Sequence, residues 1–468
     1  MTDLTDLTIA AAAERISRRE ISPAELTSAY LARIERLQPE TNAYVTLTAE
    51  RATADAKAAT SEIAAGNYRG VLHGIPIGLK DLYETAGIRT TAGSKVLANH
   101  VPGKDCTAAR KLREAGSVLL GKTNTHEFAW GTTTNNPHYG ATHNPWDLDR
   151  IPGGSSGGSG AAIAAGMAAG TLGTDTGGSI RIPAALCGCV GLKPTFGRVS
   201  KAGIVPMSWQ LDHPGPITKT VEDAAIMLGA IAGYDPDDFA TVPVPVPDYR
   251  AALASGIRGL RVGVPRSLFY GLLEDEVRSA VEAALGVLRE LGAEVRDVEP
   301  GVTREQVMEA WALVNAEGQE YHREAFTKRR DDFSPELQAV LSQPLPDSIG
   351  LARAYRVSYE IKEAFRRALE GTDVLVAPTT MRTASIIGEE PVMVGEVEMT
   401  TGAAFASLTM PFNLGGLPVV SLPCGFDSLG LQIGMQIAGK TFAEETVLRA
   451  GHAYEQATEW HRRRPELR

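Results

Sequence analysis

Two stretches carry serines among closely spaced glycines: Pro152-Gly-Gly-Ser-Ser-Gly-Gly-Ser-Gly160 and Gly173-Thr-Asp-Thr-Gly-Gly-Ser-Ile-Arg181. A serine hydroxyl attacks a carbonyl only when a neighbouring base removes its proton. Glycine at this density marks backbone that needs unusual dihedrals or must approach something closely. One such loop would read as a tight turn beside a packed helix. Two of them, separated by the alanine-rich run Ala161 to Gly170, point to chemistry rather than to turns alone.

The base decides the class of enzyme. Gly154-Ser-Ser156-Gly-Gly158 fits the G-x-S-x-G elbow of α/β-hydrolases, which needs a strand before it and an acid and a histidine after it. The preceding Asn144 to Arg150 is turn-forming, and His213, His322, His452 and His461 lie in no glycine-flanked loop. A Ser-His-Asp hydrolase therefore ranks behind the alternative, a desolvated lysine. Burial disfavours an ammonium and leaves an amine able to accept a proton. Lys80, at the end of the apolar run Gly74-Ile-Pro-Ile-Gly-Leu, is placed for that role. Gly116-Ser-Val-Leu-Leu-Gly-Lys-Thr123 matches the Walker A letters, but its Ser117 to Leu120 reads as a buried strand rather than a phosphate-cradling loop.

The elements around these residues alternate. Helices are expected over 8–20, 23–38 (with the capping box Ser22-Pro-Ala-Glu25), 48–66, 105–116, 220–232 and 443–459. Strands are expected over 42–47, 73–80, 117–120, 260–264, 373–377, 418–422 and 432–437. Residues 123–151 are a long aperiodic segment of a kind that usually serves function. The alternation predicts an α/β fold built on one large sheet. Residues 302–372, charged and helical in pattern, read as a helical insertion or cap within a single domain of 468 residues.

Composition narrows the function further. The net charge of -10 argues against nucleic-acid or anionic-membrane partners, and no apolar run is long enough to span a bilayer. The N-terminus lacks the basic and apolar regions of a secretory signal. Cys106, Cys187, Cys189 and Cys424 have no zinc-ligand spacing and read as reduced thiols of a cytoplasmic protein.

Gly74-Ile-Pro-Ile-Gly-Leu-Lys80-Asp81, the two serine stretches, Gly121-Lys-Thr-Asn124, Gly191-Leu-Lys-Pro-Thr195 and Asn413-Leu-Gly-Gly-Leu-Pro418 together resemble the amidase signature family. The resemblance covers most of the chain and is weakest over 302–372. It implies an amidase-signature α/β fold: a single large, mixed, mostly parallel sheet with helices on both faces. It also implies a Ser–cisSer–Lys triad of Ser179 as nucleophile, Ser155 as bridge and Lys80 as base. Backbone N–H groups of Thr176, Gly177, Gly178 and Ser179 would form the oxyanion hole, and Ser156, Asp175 and Arg181 would hold the loops. No metal or cofactor is implied. The partner is a small-molecule amide, and a homodimer is compatible with the family.

The resemblance leaves the substrate open between two classes. The run from Asn413 to Gln456 is similar to the corresponding run of the glutamyl/glutaminyl-tRNA amidotransferase A subunit, which binds glutamine through an arginine and an aspartate. In register with Pro378-Thr-Thr380 and Asn413, those places hold Ser358 and Ala406. A register slip could bring Arg353 or Arg356 into play, but no acid. The loop Thr125 to Gly131 falls where the family lines its acyl channel, so Phe128, Ala129 and Trp130, with Trp209, are expected to make an apolar wall. The expected reaction is hydrolysis of an uncharged or aryl amide through an acyl-enzyme, with esters and carbamates open to the same step. Glutamine hydrolysis within a tRNA-dependent amidotransferase is the alternative.

Overall fold

The computed structural model describes residues 3–467. Met1, Thr2 and Arg468, the ends of the expected single domain, lie outside the described residues. Eleven strands form one sheet. In chain order they are β1 (Tyr44–Leu47), β2 (Pro76–Lys80), β3 (Val118–Thr123), β4 (Gly170–Asp175), β5 (Val190–Lys193), β6 (His213–Thr218), β7 (Arg261–Val264), β8 (Glu294–Asp297), β9 (Val374–Pro378), β10 (Val419–Phe426) and β11 (Gln432–Gly439). In space they run β1-β3-β2-β4-β6-β5-β10-β11-β9-β7-β8, with helices on both sides.

The sheet is mixed, as expected, but its pairings are not mostly parallel. Only β2–β3, β2–β4, β7–β8 and β7–β9 pair in parallel, and the other six pairings are antiparallel. Antiparallel neighbours can be joined by a tight turn, as β10 and β11 are, whereas parallel ones need crossovers.

Strands β2, β4, β5, β6, β9 and β11 are buried along their whole length. They carry the site at the ends of β2 and β4. Strand β6 is unexpected because Pro214 and Pro216 argue against a central strand. Two residues apart, their missing N–H groups fall on one edge, and pairing with β5 is confined to Ile217 and Thr218. Strands β4, β5 and β8 are likewise not among the expected ones. Their glycine content or polarity hides the strand pattern.

The capping box at Ser22 and Glu25 starts helix Pro23–Thr41 as expected. The next expected cap does not hold: helix Thr107–Glu114 begins after Cys106, whose sulfur accepts the Ala109 N–H. Asp105 instead accepts from Ala86 N–H at 2.8 Å and pairs with Arg113. Residues 302–372 form helices Arg304–Lys328, Pro335–Leu341 and Ser348–Ala368. All four cysteines are buried free thiols. Among the described residues no helix is long and apolar enough to cross a membrane.

Candidate active site

Lys80 ends β2 wholly buried, and its Nζ donates to Ser155 Oγ at 2.7 Å and to Thr174 Oγ1 at 2.8 Å. Burial pushes its pKa down to about 7, against the opposing pull of the Asp212 and Asp175 carboxylates. The turn after Lys80 is pinned from three directions. The Asp81 carboxylate accepts the Thr91 N–H at 2.9 Å, Lys122 Nζ donates to the Tyr83 carbonyl, and Tyr83 Oη donates to Gly173 O at 2.6 Å. Lys122 lies within β3, the strand expected there in place of a phosphate loop.

Ser155 follows a cis peptide bond to Gly154. Its carbonyl accepts from His126 N–H at 3.1 Å and from Thr125 Oγ1 at 2.9 Å. The helix that follows, Gly157–Ala164, is buried on every face, which its small residues permit. A Cβ at Gly158 would stand 2.4 Å from the Asn124 nitrogen, so only glycine lets the helix start this close to the neighbouring chain. Ser156 Oγ accepts from Thr174 N–H at 3.3 Å and lies 3.3 Å from the Thr174 carbonyl. No histidine makes a hydrogen bond to the side chain of Ser155, Ser156 or Ser179 among the described residues, and Ser155 is preceded by irregular chain rather than the strand that a nucleophile elbow needs.

The second serine stretch splits into strand β4 and a tight loop through Thr176 to Ser179. Asp175 organises that loop. Its carboxylate accepts from Gly178 N–H at 2.8 Å and from Arg181 Nε at 3.0 Å and Nη2 at 2.9 Å. Arg181, fully buried, also donates to Thr409 O at 3.0 Å and Gln436 Oε1 at 2.8 Å, and Asn413 Nδ2 donates to Asp175 Oδ1 at 2.8 Å. Burial alone would raise the Asp175 pKa, but Arg181, Lys193 and Asn413 outweigh it and hold the carboxyl well below its usual range. Gly178 has φ +136, and a Cβ there would stand 2.2 Å from Thr409 Oγ1.

The N–H groups of Thr176, Gly177 and Ser179 have no partner among the described residues. That of Gly178 is committed to Asp175, which corrects its expected place in the anion-binding set. The Ser179 and Ser156 residues meet through the backbone, Ser156 N–H donating to Ser179 O at 3.3 Å. No hydrogen bond joins the Ser179 and Ser155 hydroxyls.

Ser179 opens on a cavity of about 310 Å³. Ala129 and Trp130 line it, with Ile182, Met207, Met308, Trp311, Ala406 and Met410 among their neighbours. Two expected wall residues lie elsewhere. Phe128 is packed into the helical layer, edge-on to His322 at 4.4 Å and stacked on Phe333 at 6.0 Å, because its φ of 47° turns the ring away. Trp209 is 37% exposed and lines a separate cavity of about 270 Å³ with Lys201, Asp212 and Phe239. Ser358 bonds only to its own helix, at Tyr355 O, and Arg353 and Arg356 pair with Glu309 and Glu360 outside the cavity, so no register slip supplies an arginine.

Several residues of the site escape a reading of the sequence. Thr174 sits inside the second serine stretch, but its contact with Lys80 depends on the β2–β4 register, which pairs Leu79 with Leu172. Met308 and Trp311 are three residues apart on one helix, a spacing that could have marked a shared face. Asn413 and Gln436 reach Arg181 across more than two hundred residues of chain.

The amidase family model matches residues 25–448. The chain is 45% identical over 495 aligned positions to the glutamyl-tRNA(Gln) amidotransferase A subunit of Roseiflexus sp. (strain RS-1), covering 100% of this chain and 99% of that one. Among solved structures, it resembles a protein from a vestigial complex that bears on the evolutionary origins of an s-triazine catabolic enzyme. The TM-score is 0.91 at 36% identity over 96% of this chain and 98% of that one. It also resembles a bacterial aryl acylamidase, with a TM-score of 0.90 at 29% identity over 97% and 98% of the two chains. Family match, relatives and fold agree: the chain belongs to the amidase signature family, whose enzymes act on amide carbon–nitrogen bonds.

Proposed function

We propose that the protein hydrolyses an uncharged carboxylic amide through an acyl-enzyme, with Ser179 as nucleophile, Ser155 as proton relay and Lys80 as base. The observation that carries the substrate class is the cavity beside Ser179. None of the residues lining it is Asp, Glu, Lys, Arg or His, so no side chain there pairs with the ammonium or carboxylate of a free amino acid. Its aromatic and methionine walls suit an apolar or aryl acyl group. The whole chain works as one unit, with 302–372 as its cap.

In this reading Ser179 Oγ turns toward Ser155 and gives it its proton while Ser155 passes its own to neutral Lys80 across the 2.7 Å contact. Oγ attacks the amide carbon, and the N–H groups of Thr176, Gly177 and Ser179 receive the oxyanion. The tetrahedral intermediate collapses, the carbon–nitrogen bond breaks, and the proton returns through Ser155 to the leaving amine. Water, deprotonated by the same route, then releases the acid and restores Ser179. Asp175, Arg181 and Ser156 hold the loop. Esters and carbamates fit the same steps.

A second reading has one specific observation behind it: 45% identity along the whole chain to a glutamyl-tRNA(Gln) amidotransferase component, which favours glutamine hydrolysis within a larger assembly. Ammonia release from glutamine, measured beside aniline release from neutral aryl acylamides on the purified chain, separates the two. Aryl amide turnover exceeding glutamine turnover is expected. Glutamine turnover with no aryl amide turnover would establish the second reading instead. Loss of aniline release in Ser179→Ala tests the nucleophile.

A further inference from the structure

Gly318 lies inside the helix Arg304–Lys328, where glycine is the poorest helix former after proline. Its surroundings explain it. A Cβ at Gly318 would stand 2.2 Å from Trp130 Cζ2, 2.9 Å from Cη2 and 3.2 Å from Cε2. The indole therefore rests directly on the helix backbone. Trp130 is 7% exposed, lines the cavity of Ser179, and its Nε1 has no hydrogen-bond partner. Contact, not a polar anchor, fixes the ring.

The loop that carries it cannot easily retreat. Phe128 and Ala129 are held at φ 47° and 66°, a left-handed conformation rarely taken by such residues. Glu127, one residue earlier, accepts from Ser94 Oγ at 2.6 Å and from Ser334 N–H at 2.9 Å, and its other neighbour is His138 Nε2 at 2.9 Å. Trp311, two turns before Gly318 on the same helix, lines the same cavity.

We propose that Gly318 sets the width of the substrate cavity by seating the Trp130 indole, and so decides which acyl groups reach Ser179. A methyl group at 318 takes the seat and displaces the ring toward the cavity that it lines. The inference rests on the amide-hydrolase reading for its kinetic test, but not for its structural one.

The experiment compares kcat/KM for the p-nitroanilides of acetic, butyric and benzoic acid in wild type and Gly318→Ala. The benzoyl-to-acetyl ratio is expected to fall by roughly 10–200-fold, the range for a methylene-sized change in an apolar pocket. Adding Trp130→Phe to Gly318→Ala should restore the ratio, and Trp130→Phe alone should raise it, which keeps the proposal testable if the alanine variant folds poorly. An unchanged ratio, or an equal loss for all three substrates that Trp130→Phe does not relieve, overturns it. Wild type inactive on all three anilides would count against the hydrolase reading alone. A crystal structure of Gly318→Ala then decides, and an indole in its wild-type place overturns the seating.

Discussion

The Lys80 amine lies 2.7 Å from the Ser155 hydroxyl, with both residues completely closed off from solvent. A charged ammonium is costly there, and the pKa of about 7 follows chiefly from burial. The proposed relay uses that cost, because only the free amine can accept a proton.

Activity should therefore rise with pH and reach half its plateau near 7, as Lys80 loses its proton. Lys80→Met should lower kcat/KM by about 10²–10⁴-fold, the usual contribution of a positioned base. Its effect on stability has the opposite sign. A lysine whose folded pKa lies below its unfolded value makes folding less favourable at low pH, and the penalty fades as pH rises from the folded value toward the unfolded one. Lys80→Met should be the more stable protein at pH 6, by on the order of a few kcal/mol. Denaturant titrations at pH 6 and pH 9 read this, and a wild type of equal or greater stability at pH 6 would exclude a desolvated lysine.

Asp212 connects the loop to the base. Its Oδ1 accepts from Thr176 Oγ1 at 2.5 Å and its Oδ2 from Met207 N–H at 2.9 Å. Its charge also opposes the fall in the Lys80 pKa. Asp212→Asn keeps the shape and removes the charge, so Lys80 should lose its proton more readily and the acidic limb of the pH–rate profile should move to lower pH. The Asp175 carboxylate, already paired with Arg181, is the other charge that pulls the Lys80 pKa upward and should keep doing so in this variant. An unmoved acidic limb would reduce Asp212 to a structural role.

Asp175 and Arg181 are both fully buried, and their side chains are joined by two hydrogen bonds, at 2.9 and 3.0 Å. Removing one partner leaves the other charge uncompensated, so Asp175→Asn should destabilise the protein by about 3–5 kcal/mol. Because the carboxyl pKa is depressed, its stabilisation is complete above the unfolded value and is lost as pH falls toward the folded one. The variant should accordingly show a shallower loss of stability in acid than wild type. Chemical denaturation at neutral and acid pH measures both effects, and a difference below about 1 kcal/mol at neutral pH would contradict the pair's role.

Local motifs locate Lys80, Ser155 and Ser179, because a lysine after an apolar strand and serines among glycines are patterns of neighbouring residues. Helix caps such as Ser22–Glu25 are equally legible. What the sequence hides depends on distance and register. Thr174 meets Lys80 only because two parallel strands align, and Asn413 meets Asp175 from 238 residues away. Phe128 misleads because its aromatic character says nothing of its left-handed backbone, and Trp209 because proximity to a motif is not proximity to its cavity. The relatives favour glutamine more than the residues do, and the uncharged cavity is the one feature of the site that pulls the other way.

The residues proposed for chemistry come from one part of the chain, whereas the cavity wall adds to Ala129, Trp130, Ile182 and Met207 a second set from much later. Lys80, Ser155, Asp175, Ser179 and Arg181 come from the first half, on or beside central strands, whereas Met308, Trp311, Ala403, Ala406 and Met410 come from the second. Drift in the later segments can thus retune which molecules are accepted while proton transfer stays untouched. In evolutionary terms, one catalyst is available for many diets, and the helical layer is where adaptation would leave its trace.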